Sequence, residues 1–233
     1  MKLLLALLLM SLPSPARAAD GVILLHGLCR TPASMRKMAS SLAAAGYVVV
    51  NRGYPSRTAT IEALSEATLG TALQDPRLAG CPRVHFVSHS LGGILIRDYF
   101  ARHPGKLSGR VVMLGPPNQG SEVVDRLGEW RLFKKLNGPA GGMLGTRDDS
   151  APNLLPAVDF ELGVVAGDRS INWINSAMIA GPDDGKVSVK RTGVEGMKEQ
   201  VVVHATHPYL MKNRKVIELT LRFLRSGSFG SEG

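Results

Sequence analysis

The sharpest chemical signal in the chain is Val84-His85-Phe86-Val87-Ser88-His89-Ser90-Leu91-Gly92-Gly93. An apolar, β-branched run ends in small-x-Ser-x-Gly and passes at once into a helix-forming stretch. That arrangement puts the central serine on a strained strand-to-helix turn and holds its Oγ above the sheet edge. Small residues are required two before and two after Ser90, because larger side chains collide in so tight a bend. Ser88 stands where a first glycine is usual, and it is still small. The helix that starts there aims its positive end at the reaction centre. A serine hydroxyl is a poor nucleophile until a base takes its proton, and a carboxylate must orient that base. Downstream of Ser90 the histidines are His103, His204 and His207. His103, before Pro104-Gly105, reads as a surface cap. His204 continues the last strand, whereas His207 lies in the loop beyond it, from which a base reaches toward Ser90.

With this Ser–His pattern the chain resembles an α/β-hydrolase, similar to small secreted bacterial lipases and esterases. The likeness rests on Leu25-His26-Gly27-Leu28, Ser88-His89-Ser90-Leu91-Gly92-Gly93, Asp183-Asp184-Gly185 and His207. It implies the order Ser, acid, His along the chain. It also implies a catalytic set of Ser90, Asp184 and His207, with Asp183 the neighbour that competes for the acid role. Asp168, in Ala166-Gly167-Asp168-Arg169, is a further acid at a strand end, able instead to pair with Arg169 or cap its turn. By the same resemblance the backbone N–H groups of Leu28 and Leu91 form an oxyanion hole, each donor contributing about 3–4 kcal/mol. His26 then braces that loop instead of carrying protons.

These residues need a scaffold. Short apolar runs at 22–25, 47–50, 84–87, 111–114, 162–165 and 201–203 read as strands. Most are near-continuous, which suits parallel strands buried on both faces. Helix-period segments lie between them at 32–45, 61–73, 91–102, 122–136 and 209–224. The alternation predicts an α/β fold: one open, mostly parallel sheet of about six strands with helices on both faces. The stretch 116–160, rich in Gly and Pro around one helix, is expected to form a lid or rim. Its Leu136, Met143, Leu144, Leu154 and Leu155 suit an acyl chain.

Residues 1–18 read as a signal peptide: Lys2, an apolar run from Leu3 to Leu12, then Pro13, Pro15 and Ala16-Arg17-Ala18. The apolar run is about ten residues, against roughly 20 needed to span a bilayer. Export to a periplasm or the outside is therefore expected, with residues 19–225 as the catalytic domain and 226–233 as a disordered tail. The net charge of +9 comes from scattered Lys and Arg without interleaved aromatics, so nucleic acid is not an expected partner. That basic charge is compatible with peripheral contact with an anionic membrane surface. Cys29 and Cys81 fall beyond opposite ends of the predicted strands, too far apart for a disulfide, and are expected as free thiols. The histidines offer no HExxH spacing, and neither metal nor organic cofactor is implied.

The expected reaction is hydrolysis of a carboxylic ester, with a lipid or acyl ester foremost, through an acyl-enzyme on Ser90. Thioesterase, amidase or acyltransferase chemistry uses the same triad, and a catalytically silent binding protein uses the same fold.

Overall fold

The computed structural model describes residues 18–230 of the chain; the expected signal segment, apart from Ala18, lies outside them. Six strands form one sheet: β1 (Gly21–Leu25), β2 (Val48–Arg52), β3 (Val84–His89), β4 (Val111–Leu114), β5 (Leu162–Gly167) and β6 (Glu199–Val203). They run in the order β2-β1-β3-β4-β5-β6, and every pairing is parallel. Successive side chains of a strand point to opposite faces. Ile23, Leu25, Phe86, Val111 and Met113 therefore enter one apolar cluster, while Val22, Leu24, Val87, Val112 and Leu114 enter the other. Both clusters are buried, which is why these strands read as unbroken apolar runs instead of alternating ones.

The helices follow in chain order: α1 (Arg36–Ala44), α2 (Ile61–Ala72), α3 (Leu91–Arg102), α4 (Glu122–Leu127), α5 (Arg131–Gly142), α6 (Ala151–Leu154), α7 (Trp173–Ser176), α8 (Val189–Thr192) and α9 (Arg214–Ser226). Buried residues of α2 and α3 cover one face of the sheet, and those of α1 and α9 cover the other. The strand order reverses between β1 and β3, and at such a switch point the loops leaving the carboxyl ends of the two strands open a crevice. The Leu25-His26-Gly27-Leu28 loop and the Ser90 turn leave from those two ends.

The sequence differs from the fold in several places. The helix expected over 209–224 is a 3₁₀ turn, His207–Lys212, followed by α9 from Arg214, and the one expected over 32–45 is a 3₁₀ turn, Pro32–Met35, followed by α1. The single helix expected over 122–136 is two, α4 and α5, separated by Gly128, Glu129 and Trp130; α5 itself kinks at Gly138, before Pro139. The chain also stays ordered past Ser226, contrary to a tail disordered from that point. Phe229 is buried against Phe223, and its backbone N–H donates to Glu199 at 2.7 Å. The buried Phe229 ring does not hold this end by itself: the N–H bond to Glu199 and a bond from the Arg222 guanidinium to Phe229 O at 2.7 Å add to it and together offset the cost of ordering these few residues.

The excursion between β4 and β5 is tied down at both ends by one residue of α3. Arg97 is 4% exposed and has no carboxylate partner among the described residues. Its guanidinium donates to the backbone oxygens of Asn118 (2.8 Å), Leu155 (3.2 Å) and Pro156 (3.3 Å). Burial pushes its pKa down to about 10. Arg97→Met keeps the apolar stem but strands those carbonyls. The expected cost is roughly 2–4 kcal/mol, a fall of about 10 °C in melting temperature; a variant melting like the parent contradicts this anchoring.

Candidate active site

Ser90 joins β3 to α3 with φ +51° and ψ −121°, a conformation a serine holds only when its surroundings enforce it. The small positions on either side are both used. Ser88 is fully buried. A Cβ on Gly92 would lie 2.9 Å from the Cβ and the backbone oxygen of Leu25, so α3 could not start so close to β1 with any other residue there.

Asp184 and His207 are brought together. The Nδ1–H of His207 donates to Asp184 Oδ2 at 2.7 Å, and the backbone N–H of His207 donates to Asp184 O at 2.8 Å. The other carboxylate oxygen, Oδ1, accepts the backbone N–H groups of Lys186 and Val187, both at 3.0 Å. Asp184 is 1% exposed and His207 7%. This geometry fixes the tautomer: with Nδ1 protonated, Nε2 is the free lone pair. Gly115, at the end of β4 with φ +55°, lies directly beneath the pair. A Cβ there would lie 2.9 Å from Asp184 Oδ2 and 3.2 Å from His207 Nδ1.

The competing candidates are occupied elsewhere. Asp183 Oδ1 accepts Gly185 N at 2.7 Å and Ser176 Oγ at 2.8 Å, which shapes the turn carrying Asp184. His204 and Asp168 pair with each other at 3.0 Å in a solvent-exposed position. His103 pairs with Glu66 on the surface.

Ser90 and His207 line one cavity of about 290 Å³, together with Leu28, Pro117, Val123, Phe133, Leu144 and Lys186 among others. No hydrogen bond joins Ser90 Oγ to His207 among the described residues; such contacts commonly close only around a substrate. Leu28 reaches the cavity from the loop after β1, while Leu91 follows Ser90 at the start of α3. Of the five residues expected to form an acyl-binding rim, only Leu144 lines this cavity. Leu136 and Leu154 are solvent-exposed, and Met143 and Leu155 pack on the core. The apolar wall comes from α4 and α5 instead.

Two histidines act as braces. His26 stacks on Tyr54 with ring centroids 4.2 Å apart. Its Nδ1–H donates to Gly27 O at 2.9 Å, and its Nε2 accepts the Tyr54 backbone N–H at 3.3 Å. His89 carries a role the sequence reading missed. Its Nε2–H donates to the backbone oxygen of His207 at 2.9 Å, linking the turn after β3 to the histidine after β6. Its only sequence signal was a polar residue where a buried strand end was expected.

Burial holds His26, His85 and His89 below the ordinary histidine value of 6.5, His89 most of all. All three are neutral in the native protein, while the unfolded chain binds protons near 6.5. Their stabilising effect is therefore complete above about pH 6.5 and is lost as the pH falls through the lower native values. The melting temperature is expected to drop progressively between pH 6.5 and 5, above the range in which most carboxylates titrate. A flat profile across that window contradicts neutral burial.

Comparison with known proteins decides the family. Residues 22–213 match the model of the alpha/beta hydrolase family. The chain belongs to that family. No curated protein matches this hydrolase in sequence. Solved structures similar to it include the mature lipase BlEst2 of Bacillus licheniformis, with a TM-score of 0.72, 20% identity and coverage of 93% of this chain and 95% of that one. A structure described under the metagenome-derived lipolytic enzymes LipS and LipT gives 0.62 at 19% identity, covering 89% of this chain and 94% of that one. The metagenomic carboxyl esterase MGS0156 gives 0.64 at 18% identity, covering 86% of this chain and 69% of that one. At such identities the likeness establishes the α/β-hydrolase fold. Both cysteines of this hydrolase are free, with Cys29 beyond the carboxyl end of β1 and Cys81 beside Gly21 at its other end. Among the described residues no helix is long and apolar enough to cross a membrane.

Proposed function

We propose that this hydrolase cleaves carboxylic esters, with lipid or acyl esters foremost, through an acyl-enzyme on Ser90. His207 Nε2 takes the Ser90 proton as Oγ attacks the carbonyl carbon and later delivers it to the leaving alcohol. Asp184 keeps Nδ1 protonated and stabilises the imidazolium formed in that step. The amides of Leu28 and Leu91 receive the negative oxygen of the tetrahedral intermediate. Water then attacks the acyl-enzyme by the same route in reverse, with His207 again as base.

The observation that carries this reading is the buried Asp184–His207 pair, 2.7 Å apart, with His207 opening on the same cavity as the positive-φ Ser90. The cavity volume, about 290 Å³, sits at the lower end of the roughly 300–1,000 Å³ common for small-molecule sites, which suits a compact acyl group. Exposed Trp130, Leu132 and Leu136 stand among Arg131, Lys134 and Lys135, consistent with peripheral contact of this face with an anionic lipid surface. Export by way of residues 1–18 belongs to the same reading.

Hydrolysis of 4-nitrophenyl esters of graded chain length tests it. Turnover strongest on short and medium acyl chains, and lost in Ser90→Ala, is expected. Absence of turnover on every ester, with a thioester or amide cleaved instead, would move the assignment to those substrates.

A further inference from the structure

The cavity at Ser90 carries a charge asymmetry that ester hydrolysis does not use. Apart from the histidines, its charged lining residues are Arg30 and Lys186, both cations. Neither forms a salt bridge among the described residues, and of the acids in the surrounding loops Glu122 pairs with Arg191 and Asp184 with His207. Asp184, the carboxylate whose field reaches Lys186, is already committed to His207 and two backbone amides.

Both cations are rooted in backbone that builds the site. The Lys186 N–H donates to Asp184 Oδ1, and Lys186 O accepts Ser121 Oγ at 2.7 Å. Arg30 closes the turn after Leu28, its N–H donating to Gly27 O at 3.2 Å. Its neighbour Cys29 is held at φ +56°. Desolvation pushes the Lys186 ammonium below its ordinary pKa, opposed by Cys29 and Asp184 and reinforced by Arg30; a bound anion relieves the repulsion between the two cations. Leu28, Val123, Val124, Phe133 and Leu144 supply the apolar remainder of the wall.

We propose that Arg30 and Lys186 form an anion-binding subsite beside Ser90, so that the preferred substrate is an ester bearing a carboxylate or phosphate close to its scissile carbonyl. The subsite rests on the ester-hydrolase reading and specifies its substrate class. Both side chains are solvent-exposed at the rim of the cavity, where an anion gains charge-assisted hydrogen bonds to both groups.

The test compares kcat/KM for two matched ester pairs. One is 4-nitrophenyl succinate (monoester) against 4-nitrophenyl pentanoate, with the charge on the acyl side. The other is 4-acetoxybenzoate against its methyl ester, followed by acetyl release, with the charge on the alcohol side. Intrinsic reactivity cancels when the anionic-to-neutral ratio of a variant is divided by that of the parent. In at least one pair the ratio is expected to fall about 10- to 100-fold in the Arg30→Gln/Lys186→Gln variant. The pair affected tells which side of the ester the subsite faces. Lys186→Arg keeps the ratio, as does Lys190→Gln, whose lysine lies outside the cavity. The parent's preference should also shrink as NaCl is raised from 0.05 to 0.5 M. Ratios unchanged in both pairs overturn the subsite while Ser90-dependent hydrolysis of the neutral esters leaves the reading beneath it intact. Failure of the parent to cleave any of the four esters overturns both.

Discussion

Ser90→Ala is expected to lower kcat/KM on a 4-nitrophenyl ester by roughly 10⁵- to 10⁶-fold while the protein stays folded. In the proposed mechanism the hydroxyl is the atom that bonds to the acyl carbon, and no neighbour replaces it. Ser88 is fully buried, and Ser121 Oγ is engaged with Lys186 O. Stability should move the other way in a companion variant. At φ +51° any side chain is strained, at a cost of about 1–3 kcal/mol, and glycine is not. Ser90→Gly should therefore be as inactive as Ser90→Ala yet melt at a higher temperature. Parallel circular-dichroism melts and ester assays check both halves. Retained turnover in Ser90→Ala would remove the nucleophile assignment, and a Ser90→Gly protein that melts below Ser90→Ala would remove the strain argument.

Asp184→Asn is expected to cost on the order of 10⁴-fold in kcat, and the structure gives the reason atom by atom. Oδ1 of Asp184 accepts two backbone N–H groups, so an asparagine must keep its oxygen there and turn its NH₂ toward His207. His207 Nδ1 then becomes an acceptor, the ring proton moves to Nε2, and the nitrogen that should take the Ser90 proton is blocked. Asp183→Asn is the matched control. Its Oδ1 contacts with Gly185 N and Ser176 Oγ survive the exchange, so activity should stay within about threefold, since a bond of that kind contributes only about 0.5–1.5 kcal/mol. Equal losses in the two variants would mean that the turn, not the carboxylate on His207, is what matters.

How far the residues announced this arrangement depends on whether the signal was local. The four central strands announced themselves because burial on both faces demands apolar residues along nearly their whole length, while β2 and β6 at the sheet edges are only partly buried. The tight turn at Ser90 was legible because it needs small neighbours within five residues. The choice between Asp183 and Asp184 was not legible. Adjacent residues in one turn differ only in which way each side chain points, and that is set by Val187 N, Lys186 N and the distant His207. Arg97 follows Ile94-Leu95-Ile96 and reads as a helix residue reaching for solvent, yet its partners are carbonyls 21 to 59 positions away. The apolar wall of the cavity was misplaced for a related reason. Leucine content marks a segment as apolar but does not say which leucines face the cavity once α4 and α5 divide around Gly128-Glu129-Trp130. His89 and the Arg30–Lys186 pair depend in the same way on loops meeting across the sheet edge.

Labelling with a fluorophosphonate followed by peptide mapping puts Ser90 to the decisive test as the activated nucleophile. The phosphonyl adduct should appear on the peptide carrying Ser90, be absent from Ser90→Ala, and form far more slowly in His207→Ala. An adduct on another residue, or undiminished labelling without the His207 imidazole, would contradict it.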